Sequence, residues 1–188
     1  MKMTPRERVM ASINHQNPES LPMDLGSNVS AGISGMAYGK LKDYLGIKTG
    51  HNRIYDVVQQ VAQPEIQVLD IIGADVLDVG RVFNTEDSDW YDVTLSNGVA
   101  AQWPSWFRPR HNKDGSYEYF DCEGTLIAKM PNGGMCFDQQ YFPYKEDYPE
   151  NYKDLDKEMG KVIWSAMVHS PWDHSNEKHF WETLRERC

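Results

Sequence analysis

Leu21-Pro22-Met23-Asp24-Leu25 and Ala74-Asp75-Val76-Leu77-Asp78-Val79 are the two stretches on which the fold reading turns. Each is short and mostly apolar, and turn-forming residues border it. Such a run reads as a strand buried on both faces, the kind that parallel sheets use. Parallel neighbours need a long crossover, and the residues between the two stretches read as helices. Gly35 to Leu45 fits a helix with Ala37, Leu41, Tyr44 and Leu45 on one face and Gly46 as its stop. Ile54, Val57, Val58 and Val61 form a further helical stripe, and Pro64 opens a short helix with Ile66, Leu69 and Ile72 inward. Before the first stretch, Thr4, Pro5 and Glu7 spell a helix N-cap, first position and capping box, with Val9, Met10 and Ile13 on the apolar face and an end near Asn14. From Thr4 to Val79 the expectation is helix, strand, helices, strand, in a parallel α/β arrangement.

The middle of the chain changes character. Trp90 to Leu95, the Ser96-Asn97-Gly98 turn, and Val99 to Trp103 form a hairpin pattern. A second hairpin fits Tyr117 to Asp121 and Thr125 to Met130, turning through Cys122-Glu123-Gly124. This aromatic-rich antiparallel block, about residues 90–131, reads as an insertion on the α/β frame. It would either pack on the main core or stand as a lid over a site. Beyond it, Leu155, Met159, Val162, Ile163, Ala166 and Met167 mark another helix, and a last one starts near Asn176 and runs without a stop signal to Cys188.

Composition bounds the function. A net charge of −9 argues against a general binder of nucleic acid or acidic membranes, because phosphate attracts Lys and Arg. It leaves room for a local basic pocket, for which Arg53, Arg81, Arg108 and Arg110 are available. No apolar run approaches the ~20 residues that span a bilayer, and no signal peptide is legible. Three widely spaced cysteines suit a reducing compartment, so a cytoplasmic location is expected.

Phosphate-loop, nucleophile-elbow and paired-cysteine motifs do not occur. His169, His174 and His179 are five apart, so they do not stack on one helical face as i, i+4 zinc ligands would, and no metal site is expected. The candidates are instead carboxylates and amides at strand ends. In a parallel barrel the C-terminal strand ends face the active site, which brings Asp24, Asn28, Asp78 and Arg81 to one mouth. Asp78 and Asp24 are the expected catalytic groups, as general acid or base or as stabilisers of a developing cation. An Asp in such a place also caps helices and holds turns. Tyr55 and Gln59 share a face of the expected helix and can line a pocket. His169 with Trp172 forms a polar–aromatic corner.

The order of several motifs carries a resemblance. Thr4-Pro5-Arg6-Glu7-Arg8-Val9 with His15, Pro18, Pro22 and Asp24 is similar to the start of many uroporphyrinogen decarboxylase-like proteins, a superfamily that includes corrinoid-dependent methyltransferases. Arg53-Ile54-Tyr55-Asp56-Val57, Gln59-Gln60, Gly73-Ala74-Asp75-Val76, Phe142-Pro143-Tyr144 and His169-Ser170-Pro171-Trp172-Asp173 extend it over essentially the whole chain. The resemblance implies a (β/α)8 TIM-type barrel, of which residues 1–188 would be the N-terminal part with the hairpin block inserted. A complete barrel takes ~250 residues, so a fragment, an oligomer or a chain completed by a partner is expected.

The resemblance implies either tetrapyrrole decarboxylation or methyl transfer to or from a corrinoid. It places the family's strand-two carboxylate at Asp75 or Asp78. True decarboxylases of the family carry Arg-Gln-Ala-Gly-Arg-Tyr in the first strand-loop; here Asp24-Leu25-Gly26-Ser27-Asn28-Val29-Ser30 stands there, without arginines. The expected function is therefore part of a corrinoid-linked methyltransferase, working with cobalamin on a corrinoid protein and a small-molecule methyl acceptor. Alternatives are a decarboxylase of another carboxylated substrate, or a non-catalytic corrinoid-binding or assembly fragment. The relatives' zinc-binding His-x-Cys pair does not occur, so zinc would need ligands beyond Cys188.

Overall fold

The first helix, α1 (Pro5–Ile13), forms as its sequence dictates. Thr4 Oγ1 accepts the Glu7 N–H at 3.3 Å, and Glu7 Oε2 accepts the Thr4 N–H at 2.8 Å, so both halves of the capping box are made. The computed structural model describes residues 2–149, 151–168 and 176–187. Over these residues the chain is mixed α/β, with several antiparallel sheets and no closed barrel.

The two expected parallel strands are not strands. Leu21–Leu25 and Ala74–Asp78 lie outside regular strands, and a single main-chain bond joins them, from the Asp75 N–H to the Met23 carbonyl at 2.8 Å. A ladder needs repeated pairing, and local bonds end each run. Asp24 Oδ1 accepts the Ser27 N–H at 3.0 Å and turns the chain. Asp78 Oδ1 accepts the Gly80 N–H at 2.7 Å and starts a 3₁₀ turn over Val79–Val82. Pro22 has no N–H to give.

The next part is a small sheet and a helix. Ile33–Ser34 (β1) leads into α2 (Gly35–Tyr44), close to the expected bounds, with the Ser34 hydroxyl capping the Ala37 N–H. The expected helical stripe from Ile54 to Val61 is instead a hairpin, β2 (Ile54–Asp56) and β3 (Val61–Ala62). Asp56 decides this: its Oδ1 accepts the N–H groups of both Val58 and Gln59, at 2.9 and 3.0 Å, and reverses the chain. All three strands pair antiparallel in the order β1-β3-β2. Then comes α3 (Ile66–Ile72), ended by Gly73 in the left-handed region.

Both expected hairpins form. β4 (Trp90–Thr94) pairs with β5 (Ala100–Pro104), and the turn needs Gly98 at φ 84°. β6 (Arg110–His111), β7 (Tyr117–Phe120), β8 (Leu126–Met130) and β9 (Asp138–Gln139) form an antiparallel sheet in chain order. The helix expected from Leu155 to Met167 is two short pieces, α4 (Leu155–Met159) and α5 (Ile163–Ala166), because Val162 takes an extended backbone after Gly160. The last helix, α6, spans Phe180–Arg187.

One apolar core runs through both halves. Tyr38, Ile54, Val57 and Val58 pack in the same cluster as Trp103, Phe107, Ile127 and Phe137. Trp103 is its hub: its ring meets Phe107 at 5.3 Å and Tyr117 at 5.2 Å between centroids. Its indole N–H donates to Gln60 Oε1 at 2.8 Å, across the two halves, and both residues are buried. The hairpin block thus packs on the core that carries β2 and β3. Elsewhere apolar groups stay uncovered: Leu21, Met23, Leu77 and Val79 are 86, 48, 50 and 47% exposed.

Candidate functional site

The charges of three carboxylates act on the Tyr55 hydroxyl. β2 carries both Tyr55 and Asp56, and the loops at Asp24 and Asp78 supply further carboxylates. The Tyr55 oxygen is buried and has no hydrogen-bond partner among the described residues. A buried unpaired hydroxyl costs free energy and is rare in a folded chain. Burial first, then the negative charges of Asp78, Asp56 and Asp24, push the Tyr55 phenol far above its ordinary value. It keeps its proton at every working pH and stands as a free donor.

Asp78 is half-buried, and burial raises its carboxyl above the usual carboxylate range. The Gly80 N–H, the Arg81 charge and the Gln63 side chain oppose that rise without cancelling it. The negative charge of Asp78, when present, acts on the Tyr55 phenol. Asp24 is exposed, and its two oxygens hold the Ser27 N–H and hydroxyl, the latter at 2.5 Å. Its charge reaches Tyr55 while its oxygens shape the turn.

The other expected site residues divide. Gln59 does not share a helical face with Tyr55, since that helix is a hairpin. Its amide donates to Asp56 Oδ2 at 2.8 Å and orients that carboxylate. Asn28 caps the 3₁₀ turn Val29–Ala31, accepting the Ser30 and Ala31 N–H groups at 2.8 and 3.2 Å. Asp75 is structural. Its side chain is 2% exposed, pairs with Arg8 of α1 at 2.5 Å and accepts the Met23 N–H at 2.9 Å. The Arg8 hydrogen bond holds the Asp75 carboxyl below the ordinary range. His169 lies outside the described residues.

Arg81 closes the 3₁₀ turn that Asp78 opens, and its guanidinium donates to the Pro64 carbonyl at 3.1 Å. It lines a cavity of about 300 Å³ together with His51, Arg53, Gln63, Asn84 and Thr85. Asp56 and Gln63 are functional candidates that the sequence reading missed. Asp56 had a signal: Asp two residues before Val58 and three before Gln59 is a turn former as readily as a helical residue. Gln63 had none, because its role depends on the loop at Asp78 folding beside it.

Among the described residues no group of three His, Cys, Asp or Glu side chains could hold a metal ion. Nor is any helix among them long and apolar enough to cross a membrane. Compared with family models, curated proteins and solved structures, the chain matches none of them significantly.

Proposed function

We propose that this chain is the front portion of a uroporphyrinogen decarboxylase-like barrel protein and takes part in methyl transfer between a corrinoid and a small acceptor. The observation that carries the reading is the buried Tyr55 hydroxyl, unpaired among the described residues and under the negative charges of Asp78, Asp56 and Asp24. The pairing of Met23 with Asp75 supports the barrel part: two segments lie as neighbours and deliver Asp24 and Asp78 to one side. Their uncovered apolar residues suit burial by the remainder of a barrel or by a partner.

A corrinoid, when bound, supplies a cobalt centre that accepts or releases a methyl group. In this reading the apolar residues beside Asp24 and Asp78 would meet its ring, and no residue would ligate its metal. Met23, Leu77 and Val79 are about half exposed and offer apolar surface beside Asp24 and Asp78. The cobalamin would come on a partner corrinoid protein. Zinc does not fit the described side chains, and no step uses it.

This chain's own work is proton handling and positioning. When a methyl group leaves an oxygen, nitrogen or sulfur atom, the bonding pair stays on that atom. The Asp78 carboxyl gives it a proton, so it departs neutral. In the other direction the Asp78 carboxylate takes the proton of an acceptor. Tyr55 donates a hydrogen bond to the reacting heteroatom, and Asp24 and Asp56 favour a partial positive charge nearby. We place the protein in the cytoplasm, where the exposed free thiols of Cys122 and Cys136 would persist.

A visible-spectrum titration of methylcobalamin with the protein and a panel of thiol, amine and phenol acceptors tests this reading. Protein-dependent loss of the methylcobalamin spectrum supports it. Binding without conversion would instead indicate a corrinoid-binding module, and release of carbon dioxide from a carboxylated substrate without corrinoid would indicate a decarboxylase.

A further inference from the structure

Arg81 is a partly buried cation whose guanidinium has one hydrogen bond, to a neutral carbonyl, and no ion pair among the described residues. Arg8, Arg53 and Arg110 each hold a carboxylate. A guanidinium withdrawn from water without an anion is costly unless something else completes its shell. In a chain of net charge −9, carboxylates are plentiful, and yet among the described residues none pairs with Arg81; Asp78 feels its charge without bonding it.

The cleft in front of it is built for an anion. Arg53 forms a fixed second wall: it donates to Gln102 Oε1 at 3.2 Å and to the Thr85 carbonyl at 3.2 Å, and it lies over the Trp90 ring at 5.2 Å. Its pair with Asp87 sits at the outer edge, where Asp87 is 84% exposed. Glu65 is the carboxylate of the lining, and its charge is already answered. Its Oε2 pairs with Lys42 and accepts the Tyr38 hydroxyl, and its Oε1 accepts the His51 N–H at 2.8 Å. Gln63 relates this cleft to Asp78, since it lines the cavity and its side chain also favours the charged form of the Asp78 carboxyl.

We propose that the cleft between Arg53 and Arg81 binds the anionic group, a carboxylate or a phosphate, of the small molecule that reacts at Asp78. The role of that molecule rests on the methyl-transfer reading; the anion site itself does not. The planar fork of Arg81 suits bidentate contact with either oxyanion. The volume of about 300 Å³ is at the small end of ligand pockets, which limits the bound part to a compact group.

The test is a titration of the full chain with sodium acetate, inorganic phosphate and, as the neutral control, acetamide, at constant ionic strength. The readout is the arginine Nε–H resonances in nitrogen-15 spectra. The expected result is saturable movement of the Arg81 signal with acetate or phosphate, in the millimolar range, and none with acetamide. The tighter of the two anions identifies the chemical source. Arg81→Gln should weaken binding at least tenfold, while Arg108→Gln, on an exposed arginine stacked on Tyr91, should leave it unchanged. If Arg81→Gln does not fold, Arg81→Lys replaces it, and it should bind several-fold more weakly because the fork is lost. No saturation in the wild type, equal response to acetamide, unchanged affinity in a folded Arg81 variant, or equal loss in Arg108→Gln would each overturn the site. No corrinoid is present, so these outcomes leave the methyl-transfer reading to stand or fall separately.

Discussion

Asp75 and Met23 are bonded to each other twice. The Asp75 N–H donates to the Met23 carbonyl at 2.8 Å, and the Asp75 carboxylate accepts the Met23 N–H at 2.9 Å. The reciprocal bond fixes the register of two segments that have no ladder of their own. It sets Asp24, one residue on, and Asp78, three residues on, where both act on Tyr55. Arg8 then holds the Asp75 carboxylate from the side of α1.

Arg8→Met should therefore leave Asp75 buried without its cation and lower the melting temperature at neutral pH. The sign follows from the depressed Asp75 carboxyl. The pair's contribution is complete above the ordinary Asp value of about 4 and fades as pH falls below it. Thermal melts of both proteins between pH 7 and pH 2 should show a gap that narrows only in the acid range. A gap independent of pH would remove the ion pair from the account.

Asp78→Asn should act in the opposite sense. The folded chain holds the Asp78 proton more tightly than the unfolded chain does, because burial disfavours the charge. As pH rises past about 4 the unfolded state releases this proton first, and the wild type loses stability relative to the neutral variant until the folded carboxyl also ionises. Denaturant titrations should find the two proteins equally stable near pH 3 and Asp78→Asn the more stable at pH 7. Asn keeps the oxygen that caps Gly80, so the turn itself survives.

Tyr55→Phe removes a buried hydroxyl that bonds to nothing among the described residues, and it should stabilise the chain by about 1 kcal/mol. The same change should slow methyl transfer about 100-fold, the low end of what one donor to a reacting atom contributes. A variant that is more stable and less active marks a site kept for chemistry. Loss of stability in Tyr55→Phe would show that the hydroxyl has a structural partner.

Trp103→Phe tests the core that carries the site. It shrinks a residue that is 2% exposed and leaves the buried Gln60 oxygen without its donor. The expected loss is about 2–4 kcal/mol, combining lost packing with an unsatisfied acceptor. The denaturant midpoint should fall with its slope unchanged. Because Gln60 lies in the turn that follows Tyr55 and Asp56, methyl transfer should fall as well.

What the sequence disclosed depended on how local the deciding forces were. The Thr4–Glu7 capping box, the helix from Gly35 and both hairpins rest on bonds a few residues long, and all formed close to where they were read. The stripe from Ile54 to Val61 misled because apolar residues at helical spacing also occur when both sides of a tight hairpin are buried. The Asx turn at Asp56 then outweighs periodicity. Leu21–Leu25 and Ala74–Val79 have the composition of buried strands, but pairing is a property of neighbours, and one bond is what they make. For the site, the influence of Asp24 and Asp78 on Tyr55 was not read from the sequence, which set the two carboxylates at a barrel mouth and Tyr55 on a helix face with Gln59. Asn28 and Asp75 were legible as polar groups, yet their roles in a turn and in an ion pair depended on contacts the sequence does not encode locally. Gln63 was invisible for the same reason.

The central claim is that Asp78, whose charge acts on the Tyr55 hydroxyl, handles the proton of a methyl-transfer reaction. The most direct measurement is the rate at which methylcobalamin loses its methyl group to an acceptor, recorded by visible absorption with wild type and with Asp78→Asn. The account predicts that both proteins perturb the spectrum on binding and that conversion by Asp78→Asn is slower by about 100-fold or more, as for loss of a general acid–base group. Equal rates in the two proteins, or no effect of either on the corrinoid, would contradict it.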